Sequence, residues 1–182
     1  MKKDNIVQFV GFTTGLETDE FTEKWEQYAK RLKHDKTGMI IMQQTGTKNR
    51  FNFVSKHEWT DRDFQFSFMN QKRSEHFPEH NVKVVQMGGY LPIQVKGNQK
   101  QQPHEIKVMA FMHQPGTDLQ PYKELSCRYL NIYQAYYESC LYESILEFSV
   151  PASGSHTLLE ELKKRAGIDT GIYKECFVAQ VV

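Results

Sequence analysis

Two histidines and a block of tyrosines are the side chains best suited to chemistry in this sequence. His57 lies in Phe51-Asn52-Phe53-Val54-Ser55-Lys56-His57-Glu58-Trp59, where alternate residues give one mainly apolar row (Phe51, Phe53, Ser55, His57, Trp59) and one mainly polar row. A histidine facing a partly apolar interior can serve as a general base near neutral pH, or as a hydrogen-bonded structural residue. We take His57 as the catalytic candidate and Trp59 as its neighbouring ligand contact. His113 follows a strand-like segment, where a residue sits either on a pocket lip or in an ordinary turn. Tyr122, Tyr129, Tyr133, Tyr136, Tyr137 and Tyr142 crowd a short region. Tyrosine rings fill space while their hydroxyls need partners, which suits a pocket wall, a wet subunit interface or plain core. Tyr129 and Tyr133 are the ligand-contact candidates among them.

The elements that must position these residues fall into two similar runs. Ile6–Thr13 alternates as a strand, and Gly15 breaks it. Phe21, Trp25, Tyr28, Ala29 and Leu32 then recur at helical spacing, with Thr18 or Asp19 available to cap the first turn. Gly38 ends the following connection. Met39–Thr45 and Phe51–Trp59 read as a hairpin around Gly46. Asp61 starts a second helix bearing Phe64 and Phe68, which Phe77-Pro78 ends. Val82–Tyr90 closes the run as a strand, giving the order β-α-β-β-α-β. Residues 94–105 (QVKGNQKQQPHE) read as a linker.

The second run repeats that order. Ile106–Met112 is a strand. Asp118 caps a helix carrying Leu119, Tyr122, Leu125 and Tyr129, Leu141–Val150 is a strand broken at Pro151, and a helix with Leu158, Leu159 and Leu162 ends at Gly167. Phe177–Val182 is a terminal strand. Residues 130–137 fit either an extension of the helix by periodicity or the missing second strand by analogy with the first run; we take the strand. The expected organisation is therefore a unit at 1–93, a linker at 94–105 and a divergent unit at 106–182.

Composition closes off other classes. With 39% of its 182 residues in AVILMFWYC, the chain has enough apolar side chain for a core, which argues against disorder. Lys+Arg 23 against Asp+Glu 22 gives a formal +1, without the basic face that nucleic acid or an anionic membrane demands. No apolar run is long enough for a membrane span, and no secretory leader pattern opens the chain. Cys127, Cys140 and Cys176 are too far apart for a CxxC motif and odd in number, so they read as reduced core residues of a cytoplasmic protein. No phosphate-binding glycine loop, GxSxG elbow or HExxH pair is present.

A β-α-β-β-α-β unit is the ferredoxin-like arrangement, with both helices on one face of an antiparallel sheet and the other face left to be buried. The expected fold is α+β: two tandem ferredoxin-like units whose bare sheet faces pack together as an α/β barrel, as a monomer or homodimer. FNFVSKHEWTDRDFQFSF (51–68) resembles the strand-to-helix segment of dimeric α/β-barrel proteins of the antibiotic-biosynthesis-monooxygenase type, and VKVVQMGGY (82–90) resembles their closing strand. The resemblance implies either a small-molecule-binding protein or a cofactor-free or haem-related monooxygenase acting on a flat aromatic substrate. In the haem-degrading branch an axial histidine follows the second helix, which would fall on His76 or His80. That branch also uses an asparagine in its first strand and an indole in its second helix; here those places read IVQFVGFT and Phe64, Phe66 and Phe68. No cofactor is expected otherwise, and the expected partner is a small hydrophobic or aromatic ligand.

Overall fold

The computed structural model describes residues 5–31, 36–45, 50–59, 82–97, 104–113, 118, 122, 127, 129–164 and 167–179. Strand β1 (Ile6–Thr13) leads into helix α1 (Thr18–Arg31), followed by β2 (Lys36–Gln44), β3 (Phe53–Trp59) and β4 (Lys83–Lys96). The second half supplies β5 (Glu105–Met112), β6 (Tyr129–Ala135), β7 (Ser144–Pro151), α2 (Ser155–Lys163) and β8 (Ile168–Ala179). All strand pairs are antiparallel, and they close into a barrel in the order β1-β3-β2-β8-β5-β7-β6-β4. Read around the ring, first-half strands run 4-1-3-2 and second-half strands 8-5-7-6.

Several boundaries differ from the sequence reading; β7, for one, starts at Ser144 instead of Leu141 and takes in Pro151. Gly38 does not end the connection before β2; it lies inside that strand, beside a bulge at Lys36/Gly38. β4 does not stop at Tyr90 but runs on to Lys96, so the expected linker is strand over 94–96, and Glu105 already belongs to β5. The extension exists because β6 offers it a partner: Tyr90 pairs with Ala135, Leu91 with Gln134 and Lys96 with Leu130. β8 begins at Ile168, well before Phe177, because β2 and β5 flank it on both sides. Residues 129–135 are a strand, so Tyr129 belongs to β6 and not to the preceding helical stripe. The expected helices after Asp61 and Asp118 lie largely outside the described residues, as do His76 and His80.

The core divides by side-chain parity. One apolar cluster takes a residue from every strand (among them Val7, Met42, Val54, Met87, Met109, Tyr133, Ile145 and Tyr173), and the lumen is the one space that all the strands share. A second cluster lies outside β1, β2 and β3, where Phe21 and Trp25 of α1 cover Val10, Phe12, Ile41, Phe53 and Trp59. Full burial of one such aromatic side chain contributes about 1.5–3 kcal/mol, so α1 is held mainly by this stripe. A third cluster gathers Leu162 of α2 with Tyr122 and the outer faces of β5, β6 and β7.

Two glycines let the barrel close tightly. A Cβ on Gly11 would run into the Phe51 ring. Gly88, at φ 118°, occupies backbone space that L side chains rarely adopt, and a Cβ there would meet Cys140. Among the described residues no helix is long and apolar enough to cross a membrane. The three cysteines are free thiols, Cys127 buried and the other two half-buried.

Candidate functional site

Strand β3 presents two different chemistries on its two faces. Val54 and Lys56 point into the lumen; Ser55, His57 and Trp59 point out, beneath α1. Of the polar row of the sequence, Val54 and Lys56 are thus buried, while Glu58 is half-buried and Asn52 exposed.

In the lumen, Lys56 is 2% exposed and Glu147 fully buried, and Lys56 Nζ lies 2.9 Å from Glu147 Oε2. Lys107 Nζ, from β5, lies 2.9 Å from Glu147 Oε1 and also pairs with Glu175 of β8. The Tyr129 and Tyr133 hydroxyls donate to Glu147 Oε2 at 3.1 and 3.0 Å, and the Asn131 amide donates to both phenol oxygens at 2.6 Å. One carboxylate therefore collects two ammoniums and two phenols. Burial alone would push the Glu147 carboxyl up, but Lys56 and Lys107 outweigh it and hold it well below the usual carboxylate range. Burial likewise pulls both lysines down, and Glu147, joined by Glu175 at Lys107, lifts each above its ordinary value. Burial first, and Glu147 second, keep the Tyr129 and Tyr133 phenols protonated. Tyr129 and Tyr133, expected as ligand contacts, both face the lumen, where their hydroxyls are bonded within this cluster.

Outside the sheet, a second polar row is sealed under α1. Gln8 donates from Nε2 to Gln86 Oε1 at 3.3 Å and accepts from the Trp59 indole at 2.9 Å. The His57 ring lies parallel to Trp59, with Trp25 of α1 edge-on at 5.6 Å. His57 Nε2 is 3.1 Å from Ser55 Oγ. His57 and Trp59 are therefore together, as their parity implied, but on the helix side of β3. The α1 stripe supplies Trp25, and Ser55 and Gln8 are members of the row that sequence reasoning did not single out. The signal for Gln8 was a lone amide in the apolar alternation of β1.

His113 is elsewhere. It caps β5 at the barrel mouth, 3.0 Å from Asp169 and with its ring centroid 4.6 Å from that of Tyr142. A half-open depression of about 100 Å³ lies at the start of α1, between Leu16, Thr18, Gln43, Asn52 and Phe53. That is well below the roughly 300–1,000 Å³ of ligand pockets, so it holds no flat polycyclic molecule. Among the described residues no three His, Cys, Asp or Glu side chains converge as a metal site. Nor does His57 suit an axial haem ligand, since Trp25 and Trp59 occupy the space around its ring.

Comparison with solved structures follows the fold, not the sequence. No family profile matches the chain, and no curated protein matches it. An anthrone oxidase-like protein aligns over 99% of this chain and 95% of its own, at 8% identity and TM-score 0.59. A provisionally assigned monooxygenase from Fusobacterium nucleatum aligns over 99% and 96%, at 10% identity and TM-score 0.57. A mutant chlorite dismutase from Candidatus Nitrospira defluvii aligns over 93% and 91%, at 10% identity and TM-score 0.50. At such identities the likeness establishes the architecture alone. The chain shares with these structures an α+β fold built on a closed antiparallel eight-stranded barrel.

Proposed function

We propose that this chain is a small-molecule-binding protein of the dimeric α/β-barrel type, with two βαββαβ units joined in one polypeptide. The matching strand orders 4-1-3-2 and 8-5-7-6 support the tandem reading. The ligand is small, flat and aromatic, and it enters the layer between α1 and the outer face of β1 and β3 by displacing the Trp25 ring from His57, with His57 and Trp59 on its sheet wall. The observation that carries this is the buried Ser55–His57 pair set between two indoles. A flat ligand needs aromatic walls and one or two fixed polar groups, which this layer offers.

A second reading makes the same layer a cofactor-free oxygenase site, in which His57 takes a proton from a phenolic or anthrone-like substrate before it reacts with dioxygen. The imidazole beside Ser55 favours it, as does the likeness to an oxidase-like and a monooxygenase-assigned structure. The chain's two tryptophans are Trp25 and Trp59, both in this layer, so intrinsic fluorescence reports directly on occupancy. Titration with 1,8-dihydroxyanthraquinone should quench that emission saturably, and His57→Ala should weaken binding about tenfold, the scale of one lost hydrogen bond to a polar partner. Quenching that never saturates, or that His57→Ala leaves unchanged, overturns the binding reading. Oxygen uptake with anthrone that His57→Ala abolishes selects the oxygenase.

A further inference from the structure

Barrel closure brings a separate group of chemically capable side chains to the apolar mouth, on the rim above Phe51 and Phe111. His113 continues the lumen-facing alternation of Met109 and Phe111 on β5, and its backbone N–H donates to Gly167 O at 2.9 Å. Asp169 of β8 sits opposite Phe111 in the ladder and shares the alternation of Tyr173. His113 Nε2 and Asp169 Oδ2 are 3.0 Å apart, with the two side chains 39% and 42% exposed. Below them Tyr142 is buried, its phenol pushed up by burial and by the nearby Asp169 charge and pulled down by Arg50. The Arg50 guanidinium lies 5.4 Å over the Phe51 ring. Residues 50, 113, 142 and 169 come from four separate segments, and only the closed barrel assembles them.

We propose that this rim is an acid–base site, in which His113 removes a proton from a small enolisable or phenolic compound and Arg50 holds the anion that results. A carboxylate can only accept, so Asp169 keeps the ring proton on Nε2 and leaves the lone pair on Nδ1. The substrate C–H or O–H bond breaks, an N–H bond forms at Nδ1, and the electron pair stays on the substrate as an enolate or phenolate. Asp169 offsets the imidazolium charge, and the transfer needs no oxidant. Exposed ion pairs add little to stability, so stability alone gives this dyad no reason to be there. Barrel mouths are, by contrast, a usual location for small-molecule sites. The inference is independent of the layer beneath α1, which lies on the other side of the sheet.

The test uses the full chain and 5-nitrobenzisoxazole, a carbon acid that reports on any placed base. His113 would take the ring C–H proton as the N–O bond breaks and the nitrile forms, releasing a yellow cyanonitrophenolate. The protein should accelerate this reaction beyond the same concentration of free imidazole. His113→Ala should lose about a hundredfold of the excess, the lower end of general-base contributions, and added imidazole should restore part of it. Asp169→Asn keeps the shape but not the charge, and should lose about tenfold with an unchanged thermal midpoint. Wild-type protein no faster than imidazole overturns the proposal. So does a rate that survives His113→Ala, or losses that track thermal destabilisation alone.

Discussion

Replacing Glu147 by glutamine removes one negative charge from the lumen while keeping the side chain's size. Lys56 then stays 2% exposed without the carboxylate it is paired with, the more distant Glu58 still acting on it. Lys107 keeps Glu175, and the glutamine carbonyl can still accept from the two phenols. Leaving one partner of a buried pair unmatched costs about 3–5 kcal/mol. At about 2–4 °C per kcal/mol for a chain of this size, the melting temperature should fall by about 6–20 °C. Adding Lys56→Met to Glu147→Gln removes the orphaned ammonium, so the double variant should be more stable than the single one. The surface pair Lys24–Glu20, at 4.0 Å and 30% and 49% exposed, provides the comparison: Glu20→Gln should cost under about 0.5 kcal/mol. Urea denaturation of the four proteins gives all the terms. A Glu147→Gln loss as small as that of Glu20→Gln would refute the reasoning, and so would a double variant no better than the single.

The same cluster sets the response to pH. Glu147 titrates lower in the folded than in the unfolded chain, so its contribution is present above the ordinary carboxylate value of about 4.3 and fades as pH falls below it. Lys56 titrates higher when folded, so its contribution is complete below about 10.4 and is lost as pH rises beyond that. Urea midpoints should therefore fall at both extremes, and the gap between wild type and Glu147→Gln should narrow in acid. Burial pushes the Cys176 thiol up to about 11 and raises that of Cys140 as well. Ellman's reagent at pH 8 should accordingly react slowly with native protein and rapidly with all three thiols in denaturant; fast native reaction contradicts the burial. Gly88→Ala must hold a positive φ and push against Cys140, so it should cost about 1–3 kcal/mol, read as a lower urea midpoint. Cys140→Ala in the same chain should recover part of that loss.

Local pattern carried the strands whose partners are near in sequence. β1 was legible to the residue because its alternation is uninterrupted and Gly15 follows it. Residues 130–137 were ambiguous by period, and only the order of the first half, an argument from topology, pointed to the strand found at Tyr129–Ala135. The far end of β4 was not legible, since its partner β6 lies in the opposite half of the chain and a polar, glutamine-rich stretch pairs as readily as an apolar one; nor was the near end of β8, whose partner β5 lies far upstream. The lumen cluster left a faint signal: Lys107 and Glu147 are opposite charges in the interior of mainly apolar strands, EIKVMAFM and SILEFSVP. Burying one such charge is unfavourable, and two of opposite sign in strands that pair should be read as partners. His57 and Trp59 were placed together correctly by period, but period does not say whether their face meets a helix or a lumen. That assignment needed Trp25 of α1 against His57.

The proposed function depends on the lumen ion cluster staying together and the ligand lying under α1. A crystal structure of the protein soaked with 1,8-dihydroxyanthraquinone tests this most directly. The account predicts planar density against Trp59 and His57, with Lys56, Lys107 and Glu147 still in contact. Density inside the barrel with those three side chains spread apart would contradict it.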